Sequence, residues 1–307
     1  MSVPPSSAAW IAVDWGTTHL RAWAMDTAGA VSAAASSDDG MGRLSRDGFE
    51  PALLALIDGW LAPDRVTPVV VCGMAGSRQG WVEALYRGVP CTPLDSGGFA
   101  SAPCRDPRLQ VRIIPGLKQA TPADVMRGEE TQIAGFLAGD PEFDGVLCLP
   151  GTHSKWVRIS AGEVVSFQTF MTGEMFALLA DHSVLRHSVT TEGWDDAAFA
   201  AALDDALSRP DRIAARLFTL RAETLLQGLA PEAARARLSG ALIGIELAAA
   251  RPYWLGQAVA IIGAKGIGAA YATALGRQGA APRLLEGDPL TLAGLSAAQA
   301  SLKEPAR

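Results

Sequence analysis

One pattern occurs twice in this chain: an apolar strand, a tight turn built on Gly-Thr, and a second strand. Near the N-terminus it reads Ile11-Ala12-Val13-Asp14-Trp15-Gly16-Thr17-Thr18-His19-Leu20-Arg21-Ala22-Trp23. Near the middle it reads Gly145-Val146-Leu147-Cys148-Leu149-Pro150-Gly151-Thr152-His153-Ser154-Lys155-Trp156-Val157. A hairpin of this kind presents backbone N–H groups and hydroxyls at its tip, a geometry suited to phosphate oxygens. Two of them in one chain imply two related domains gripping one polyphosphate. Only the first carries a strand-end carboxylate, Asp14. That group suits Mg²⁺, directly or through water, or a charge developing beside the phosphates. Its competing reading is a turn aspartate that satisfies backbone N–H groups.

The surrounding pattern repeats as well. Apolar runs at 10–15, 20–25 and 30–35 predict three strands, and Phe49, Leu53, Leu54, Leu56, Ile57 and Leu61 predict a helix over 47–61 that Pro63 ends. Residues 68–73 form a continuous apolar run, as a buried parallel strand would, and lead into the loop Gly73-Met74-Ala75-Gly76-Ser77. A strand at 111–115 and a helix at 124–138 complete the first half. In the second half, strands are expected at 145–150, 155–160 and 163–169, a helix near 173–181, a helical stretch at 195–226 and a long helix at 231–250. A buried strand at 257–263, a helix at 267–279, a strand at 282–286 and a last helix at 289–302 close the chain. The same succession twice predicts a duplicated α/β fold with a cleft between its halves. The boundary falls near Gly139-Asp140-Pro141, giving domains of 1–139 and 140–307.

Composition narrows the function classes. With 49% hydrophobic and 19% charged residues over 307, the chain can bury two cores and is not a disordered one. A net charge of −6 argues against a nucleic-acid surface. No apolar run reaches the length of a bilayer span, and Met1–Ser7 lacks the basic and apolar regions of a signal peptide. The four cysteines, Cys72, Cys91, Cys104 and Cys148, form no C-x-x-C pair and read as reduced thiols. The expectation is a cytoplasmic enzyme with a small-molecule substrate, no nucleic-acid or membrane partner, and homodimerisation left open.

At this point the residues resemble a known group. Asp14-x-Gly-Thr-Thr and Pro150-Gly-Thr-His-Ser resemble the paired phosphate hairpins of the sugar kinase, Hsp70 and actin superfamily. Within it, Asp14-Trp15-Gly16-Thr17-Thr18-x-x-Arg21-Ala22-Trp23, Gly73-Met74-x-Gly76-Ser77, Ile114-Pro115-Gly116-Leu117, Met126-Arg127-Gly128-Glu129-Glu130-Thr131-Gln132, Pro150-Gly151-Thr152-His153-Ser154-Lys155-Trp156 and Met171-Thr172-Gly173-Glu174 are similar to the 2-keto-3-deoxy-galactonokinase family, over residues 10 to about 300. The resemblance implies two ribonuclease-H-like domains flanking a nucleotide cleft. It also implies ATP- and Mg²⁺-dependent phosphorylation of the C6 hydroxyl of 2-dehydro-3-deoxy-D-galactonate. Another kinase of the same superfold acting on a different sugar acid, and a non-catalytic ATP-binding switch, stand as alternatives.

Roles follow residue by residue. Gly16, Thr17 and Thr18 in the first hairpin, and Gly151, Thr152, Ser154 and Lys155 in the second, are the expected phosphate ligands. Related sugar kinases place a carboxylate that orients the attacking hydroxyl at the start of a helix late in the first domain. Glu129 and Glu130 occupy that position, with Asp14 as a rival base; adjacent residues on a helix cannot both face one cleft. The substrate's own carboxylate calls for an arginine or a nest of amides. Arg127 is the first candidate, with Arg78, Arg21 and the loop Gly73, Met74, Gly76 and Ser77, while Trp15 could stack along the sugar chain. Gly263-Ala264-Lys265-Gly266-Ile267-Gly268 superficially resembles a dinucleotide fingerprint, a weak pattern by itself. So late in a duplicated kinase fold it reads better as the adenosine pocket, through Gly263, Lys265 and Gly266, with the helix of Gly240 and Gly244 as another wall.

Overall fold

The computed structural model describes residues 7–190 and 192–303. In chain order the elements are β1 (Trp10–Trp15), β2 (Leu20–Met25), β3 (Val31–Ser37), α1 (Phe49–Ile57), β4 (Thr67–Gly73), β5 (Arg87–Gly88), β6 (Ala100–Ser101), β7 (Leu109–Ile113), β8 (Leu117–Gln119), β9 (Asp124–Met126) and α2 (Glu129–Gly139). There follow β10 (Gly145–Leu149), β11 (Ser154–Ser160), β12 (Glu163–Phe170), α3 (Thr172–Ala177), α4 (Asp196–Ser208), α5 (Ile213–Gln227), α6 (Pro231–Ala249), α7 (Arg251–Trp254), β13 (Val259–Ile262), α8 (Lys265–Arg277), β14 (Arg283–Leu285) and α9 (Gly287–Lys303).

The duplication is visible in the sheets. One has the order β3-β2-β1-β4-β7-β6 and another the order β12-β11-β10-β13-β14; a small third sheet is β5-β8-β9. In the first, β1 pairs antiparallel with β2 and parallel with β4, which pairs parallel with β7. In the second, β10 pairs antiparallel with β11 and parallel with β13, which pairs parallel with β14. Both central strands are apolar because both of their faces are covered. Every residue of β10 is buried, and in β1 only Asp14, near the carboxyl end, is half-buried. No helix among the described residues is long and apolar enough to cross a membrane.

Contacts divide the chain into two units. One comprises the described residues of Met1–Phe143, Ser160–Ser166 and Gly287–Arg307, the other Asp144–Ile159 and Phe167–Glu286. A single cut at 139/140 would leave α9 in the second half; its contacts put it in the first unit. The reason is packing. Leu295 and Ala298 of α9 join a buried cluster with Trp10, Ala12, Val70 and Cys72. α9 also crosses α2 through glycines: a Cβ on Gly294 would stand 1.9 Å from the Thr131 carbonyl oxygen, and one on Gly135 2.0 Å from that of Leu290.

The other departures from the sequence reading have local causes. Residues 124–126 form β9 rather than the start of a helix, because Gly128 takes φ 105°, outside the helical region, and α2 begins after it. The stretch 195–226 divides into α4 and α5 around Pro210. The helix expected at 173–181 is α-helical to Ala177 and continues as a π-helix over Leu178–His182.

Because backbone faces backbone at the α2–α9 crossing, Gly294→Ala cannot be absorbed by a rotamer change. Forced overpacking of this kind costs about 2–3 kcal/mol, and Tm is expected to fall by about 5–10 °C. Thermal unfolding followed by circular dichroism measures it; an unchanged Tm would mean that the helices do not meet at these glycines.

Candidate active site

In the first unit, strand register places the charged groups. Asp14 on β1 lies opposite Arg21 on β2 and beside Cys72 on β4. Arg21 Nη2 donates to Asp14 Oδ2 at 2.5 Å, and Arg21 Nη1 donates to Asp288 Oδ1 at 2.7 Å. Cys72 Sγ donates to Asp14 Oδ1 at 3.6 Å. Burial, then the Asp14 and Glu130 charges, push the Cys72 thiol well above its ordinary pKa, which puts both carboxylates around it. Asp14, Gly16, Thr18 and Arg21 line a cavity of about 510 Å³ together with Ser37 and Asp38. Thr17 is exposed, and its carbonyl accepts from Gly42 N at 2.9 Å.

The helix start at α2 lies next to this strand end. A Cβ on Gly128 would meet Gly73 Cα at 3.6 Å, and one on Gly73 would meet Asp14 Oδ1 at 3.4 Å. The two glutamates differ. Glu130 is fully buried; its Oε2 accepts from Gly128 N at 2.7 Å and its Oε1 from Thr131 Oγ1 at 3.2 Å. Burial first, and the neighbouring Glu129 charge second, push its pKa up to about 8. Glu129 is half-buried, and its Oε2 accepts from Arg127 N at 3.0 Å.

Arg127 is held but not satisfied. Its Nη2 donates to the Ala84 carbonyl at 2.7 Å and its guanidinium lies over the Tyr86 ring at 4.4 Å. Nε and Nη1 are buried with no protein partner, and so is the Oγ of Ser77, a residue 6% exposed. A Cβ on Gly76 would stand 2.6 Å from Arg127 Nη1, so glycine is what leaves room for the guanidinium. Buried donors without acceptors are costly, and this set is suited to an anion.

The second unit builds a cavity of about 850 Å³ behind its own hairpin. Gly151 and Thr152 from the hairpin, Gly173 from α3, Arg235 and Ser239 from α6 and Gly266 from α8 face it, with Trp194 at its rim. The hairpin is braced from α3: Glu174 N donates to Thr152 O at 2.9 Å, and a Cβ on Gly173 would be 2.2 Å from the Gly151 carbonyl oxygen. His153 Nε2 and Glu174 Oε2 are 2.6 Å apart.

Several expected site residues are placed elsewhere. Trp15 is fully buried against Phe49 and Trp81, with ring centroids 4.9 and 6.0 Å away, so core packing rather than sugar stacking is its environment. Ser154 is fully buried, its hydroxyl 2.9 Å from Tyr271 OH, and does not reach the cavity. Lys155 is buried too, its Nζ donating to His153 O at 3.1 Å. Gly240 and Gly244 serve helix packing: a Cβ there would meet Phe199 O at 2.4 Å and Ala206 Cβ at 2.6 Å. Gly263 backs Pro150, and Lys265 is exposed and paired with Glu286 at 3.1 Å; of the late glycine run, Gly266 lines the cavity. Arg78 is a surface group paired with Glu83 at 3.5 Å, and Arg21 is engaged by Asp14 and Asp288. Sequence reasoning missed Phe176, Trp194 and Arg235. The available signal was the spacing of Arg235, Ser239 and Ile243 at successive helical turns.

The sequence model of the 2-keto-3-deoxy-galactonokinase family matches residues 14–298. The 2-dehydro-3-deoxygalactonokinase of Escherichia coli (strain K12) is 35% identical over 292 residues, covering 94% of this chain and 97% of that protein. A Rhizobium meliloti (strain 1021) protein assigned the same name is 43% identical over 296 residues, covering 94% of this chain and 96% of its own. A Sinorhizobium meliloti protein with that assignment has a crystal structure that matches with a TM-score of 0.88 at 40% identity, covering 97% of this chain and 98% of that one.

The burial of Glu130 has a consequence for stability against pH. Its folded pKa of about 8 lies above the model-peptide range, so the folded state holds a proton that the unfolded chain has released. The corresponding stability is complete below about pH 4.5 and is lost as pH rises through about 8, at up to about 1.4 kcal/mol per pH unit. Urea midpoints at pH 5, 6.5 and 8 should fall with pH in the wild type and fall less in Glu130→Gln. Parallel curves for the two proteins would show that Glu130 ionises freely when folded.

Proposed function

The chain belongs to the 2-keto-3-deoxy-galactonokinase family, and from that premise we propose that it transfers the terminal phosphoryl group of MgATP to the C6 hydroxyl of 2-dehydro-3-deoxy-D-galactonate. Each unit has its part. The first carries the sugar-acid groups and the carboxylates, the second the nucleotide cavity. A kinase drawing on the ATP pool works in the cytoplasm.

The observation that carries the substrate reading is the guanidinium of Arg127, fixed on Tyr86 and Ala84 with Nε and Nη1 buried and unpartnered. Two unpartnered N–H groups of a buried cation call for anionic oxygen, which the carboxylate of a sugar acid supplies. A neutral sugar could accept from those N–H groups but would bring no charge to balance the guanidinium.

For the nucleotide, the backbone of Gly151 and Thr152 meets the phosphates, and the pocket of Phe176, Trp194, Arg235, Ser239 and Gly266 takes the adenosine. No three His, Cys, Asp or Glu side chains gather into a metal cage among the described residues. Asp14 fits the lighter demand of a Mg²⁺ that arrives with ATP, which needs one or two carboxylates besides phosphates and water. When bound, the ion offsets negative charge on the phosphates. Asp14 is suited to that task because Arg21 fixes one carboxylate oxygen and orients the other.

Phosphoryl transfer asks for positioning and one carboxylate that orients the attacking hydroxyl. Burial and hydrogen bonding support one assignment of the glutamates over the other. Glu130 is fully buried and neutral at pH 7, so it supports the backbone turn at Gly128. Glu129 is half-buried and takes the role toward the hydroxyl.

Two sets of kinetics test this reading. Glu129→Gln should lower kcat by about 100-fold or more, the range of general acid–base contributions. Glu130→Gln, which imitates the neutral acid, should keep kcat within about tenfold at pH 7. The reverse order would move the role to Glu130.

In an assay of ADP release with 2-dehydro-3-deoxy-D-galactonate, Arg127→Lys should raise KM for the sugar acid about 10- to 100-fold, the effect of losing a charged hydrogen bond. KM for ATP should change far less. Equal shifts in both constants would remove Arg127 from the sugar-acid site, and no ADP release from the wild type with this substrate would refute the activity.

A further inference from the structure

Glu246 is the most buried carboxylate of the second unit, 2% exposed in the interior of α6, and no role above uses it. Its hydrogen-bond partners are neutral donors. Trp156 Nε1 donates to Oε1 at 2.7 Å. Tyr271 OH donates to Oε2 at 2.6 Å, and Thr172 Oγ1 donates to the same oxygen. Because Tyr271 has a single proton and gives it to Glu246, the Ser154 hydroxyl, 2.9 Å away, donates to Tyr271 in turn. Trp156, Tyr271 and Thr172 thus converge on the carboxyl from three elements, with Ser154 behind Tyr271.

The donors are not scattered. Ser154 and Trp156 lie on β11 directly after the hairpin, Thr172 is the first residue of α3, which braces the hairpin tip, and Tyr271 lies on α8. Thr172 and Tyr271 also line the 850 Å³ cavity, as do Gly151 and Thr152 of the hairpin and Ser239 on the same helix as Glu246. One carboxylate thus ties α6 to each of the three elements that form the wall around the hairpin. A buried carboxyl is a poor means of gaining stability, since taking it out of water costs much of what its partners return. It is an effective means of fixing several groups in one arrangement.

We propose that Glu246 is a positioning residue for the nucleotide, setting the hairpin of Gly151 and Thr152 and the facing walls of α3 and α8 through Ser154, Trp156, Thr172 and Tyr271. The proposal rests on the reading of this cavity as the nucleotide site. It touches no substrate itself and leaves the sugar-acid groups of the first unit alone.

The test is ADP binding by isothermal titration calorimetry on the full chain, with steady-state kinetics beside it. Glu246→Gln keeps the shape but brings an amide donor against donors. It should weaken ADP binding and raise KM for ATP by about 10-fold, equal to about 1.4 kcal/mol, while KM for the sugar acid stays within about twofold. Tyr271→Phe removes one donor and should produce a smaller shift of the same kind. The double variant should bind ADP no worse than Glu246→Gln alone, because both changes break one network. Unchanged ADP affinity in the two single variants, whatever happens to Tm, overturns the proposal and leaves the network a purely structural one. Should Glu246→Gln fail to fold, Tyr271→Phe decides by the same criterion.

Gly266→Leu separates this question from the site reading. Gly266 has nothing within 4 Å of its Cβ position and lines the cavity, so a leucine there would occupy space the nucleotide needs. If ADP still binds Gly266→Leu as tightly as the wild type, the cavity is not the nucleotide site. If Gly266→Leu loses ADP while Glu246→Gln and Tyr271→Phe retain full affinity, the site stands and the role of Glu246 falls.

Discussion

At the end of β4 the backbone turns through Gly73 at φ 88°, and a Cβ there would stand 2.6 Å from the carbonyl oxygen of Trp15. No L side chain fits that approach or that conformation without strain. Everything chemical in the first unit depends on it. Because the strand ends run so close, Asp14 meets Cys72 across the parallel pair and Gly128 meets Gly73, which brings the start of α2 to the same corner. A second glycine with positive φ, Gly128, then lets the chain leave β9 and begin a helix with Glu129 and Glu130 as its first residues. Two backbone conformations that only glycine adopts readily therefore gather Asp14, Glu129, Glu130 and Arg21 from three segments.

The two hairpins share a strand order and differ in where charge is kept. In the first unit the strand-end carboxylate is partly open to solvent and balanced by a guanidinium, Arg21, itself shared with Asp288. In the second unit the hairpin itself carries no carboxylate, and the one at its turn, Glu174, comes from α3 and meets His153. The acidic group lies behind the wall as Glu246, enclosed by neutral donors, and burial raises its pKa against the pull of those hydrogen bonds. The same local shape thus supports a charged corner in one unit and a hydrogen-bonded scaffold in the other.

The elements were legible where periodicity was strong. β1, β2, β4, β10, α6 and the last helix fall within a few residues of their sequence readings, because buried central strands are apolar throughout and long helices keep a 3.6-residue rhythm. The hairpin duplication was legible for the same reason. Partner choice was not. Nothing local to Ser154 distinguishes a hydroxyl facing phosphate from one bonded to Tyr271, 117 residues away. Trp15 sits inside a conspicuous motif, yet a tertiary cluster with Phe49 and Trp81 decides its fate. Gly240 and Gly244 looked like close approach to a ligand and are close approach to α4. Arg127 was legible by chemistry, since a carboxylate substrate calls for an arginine, while its seat on Tyr86 comes from the fold. Which of Glu129 and Glu130 is accessible depended on burial, to which adjacent positions in sequence are blind.

The glycine contact between α2 and α9 also bears on how the chain comes into being. The second unit, apart from Asp144–Ile159, is one continuous run to Glu286, whereas the first unit includes Gly287–Arg307. Leu295 and Ala298 complete the buried cluster on Trp10 and Val70. On a ribosome, where domains form as their residues emerge, the unit that begins first is therefore the one that finishes last. Its sheet waits with an apolar face uncovered while more than a hundred intervening residues are made and folded. A chain truncated shortly after β14 would carry the second unit whole and the first without the helix that covers Trp10 and Val70.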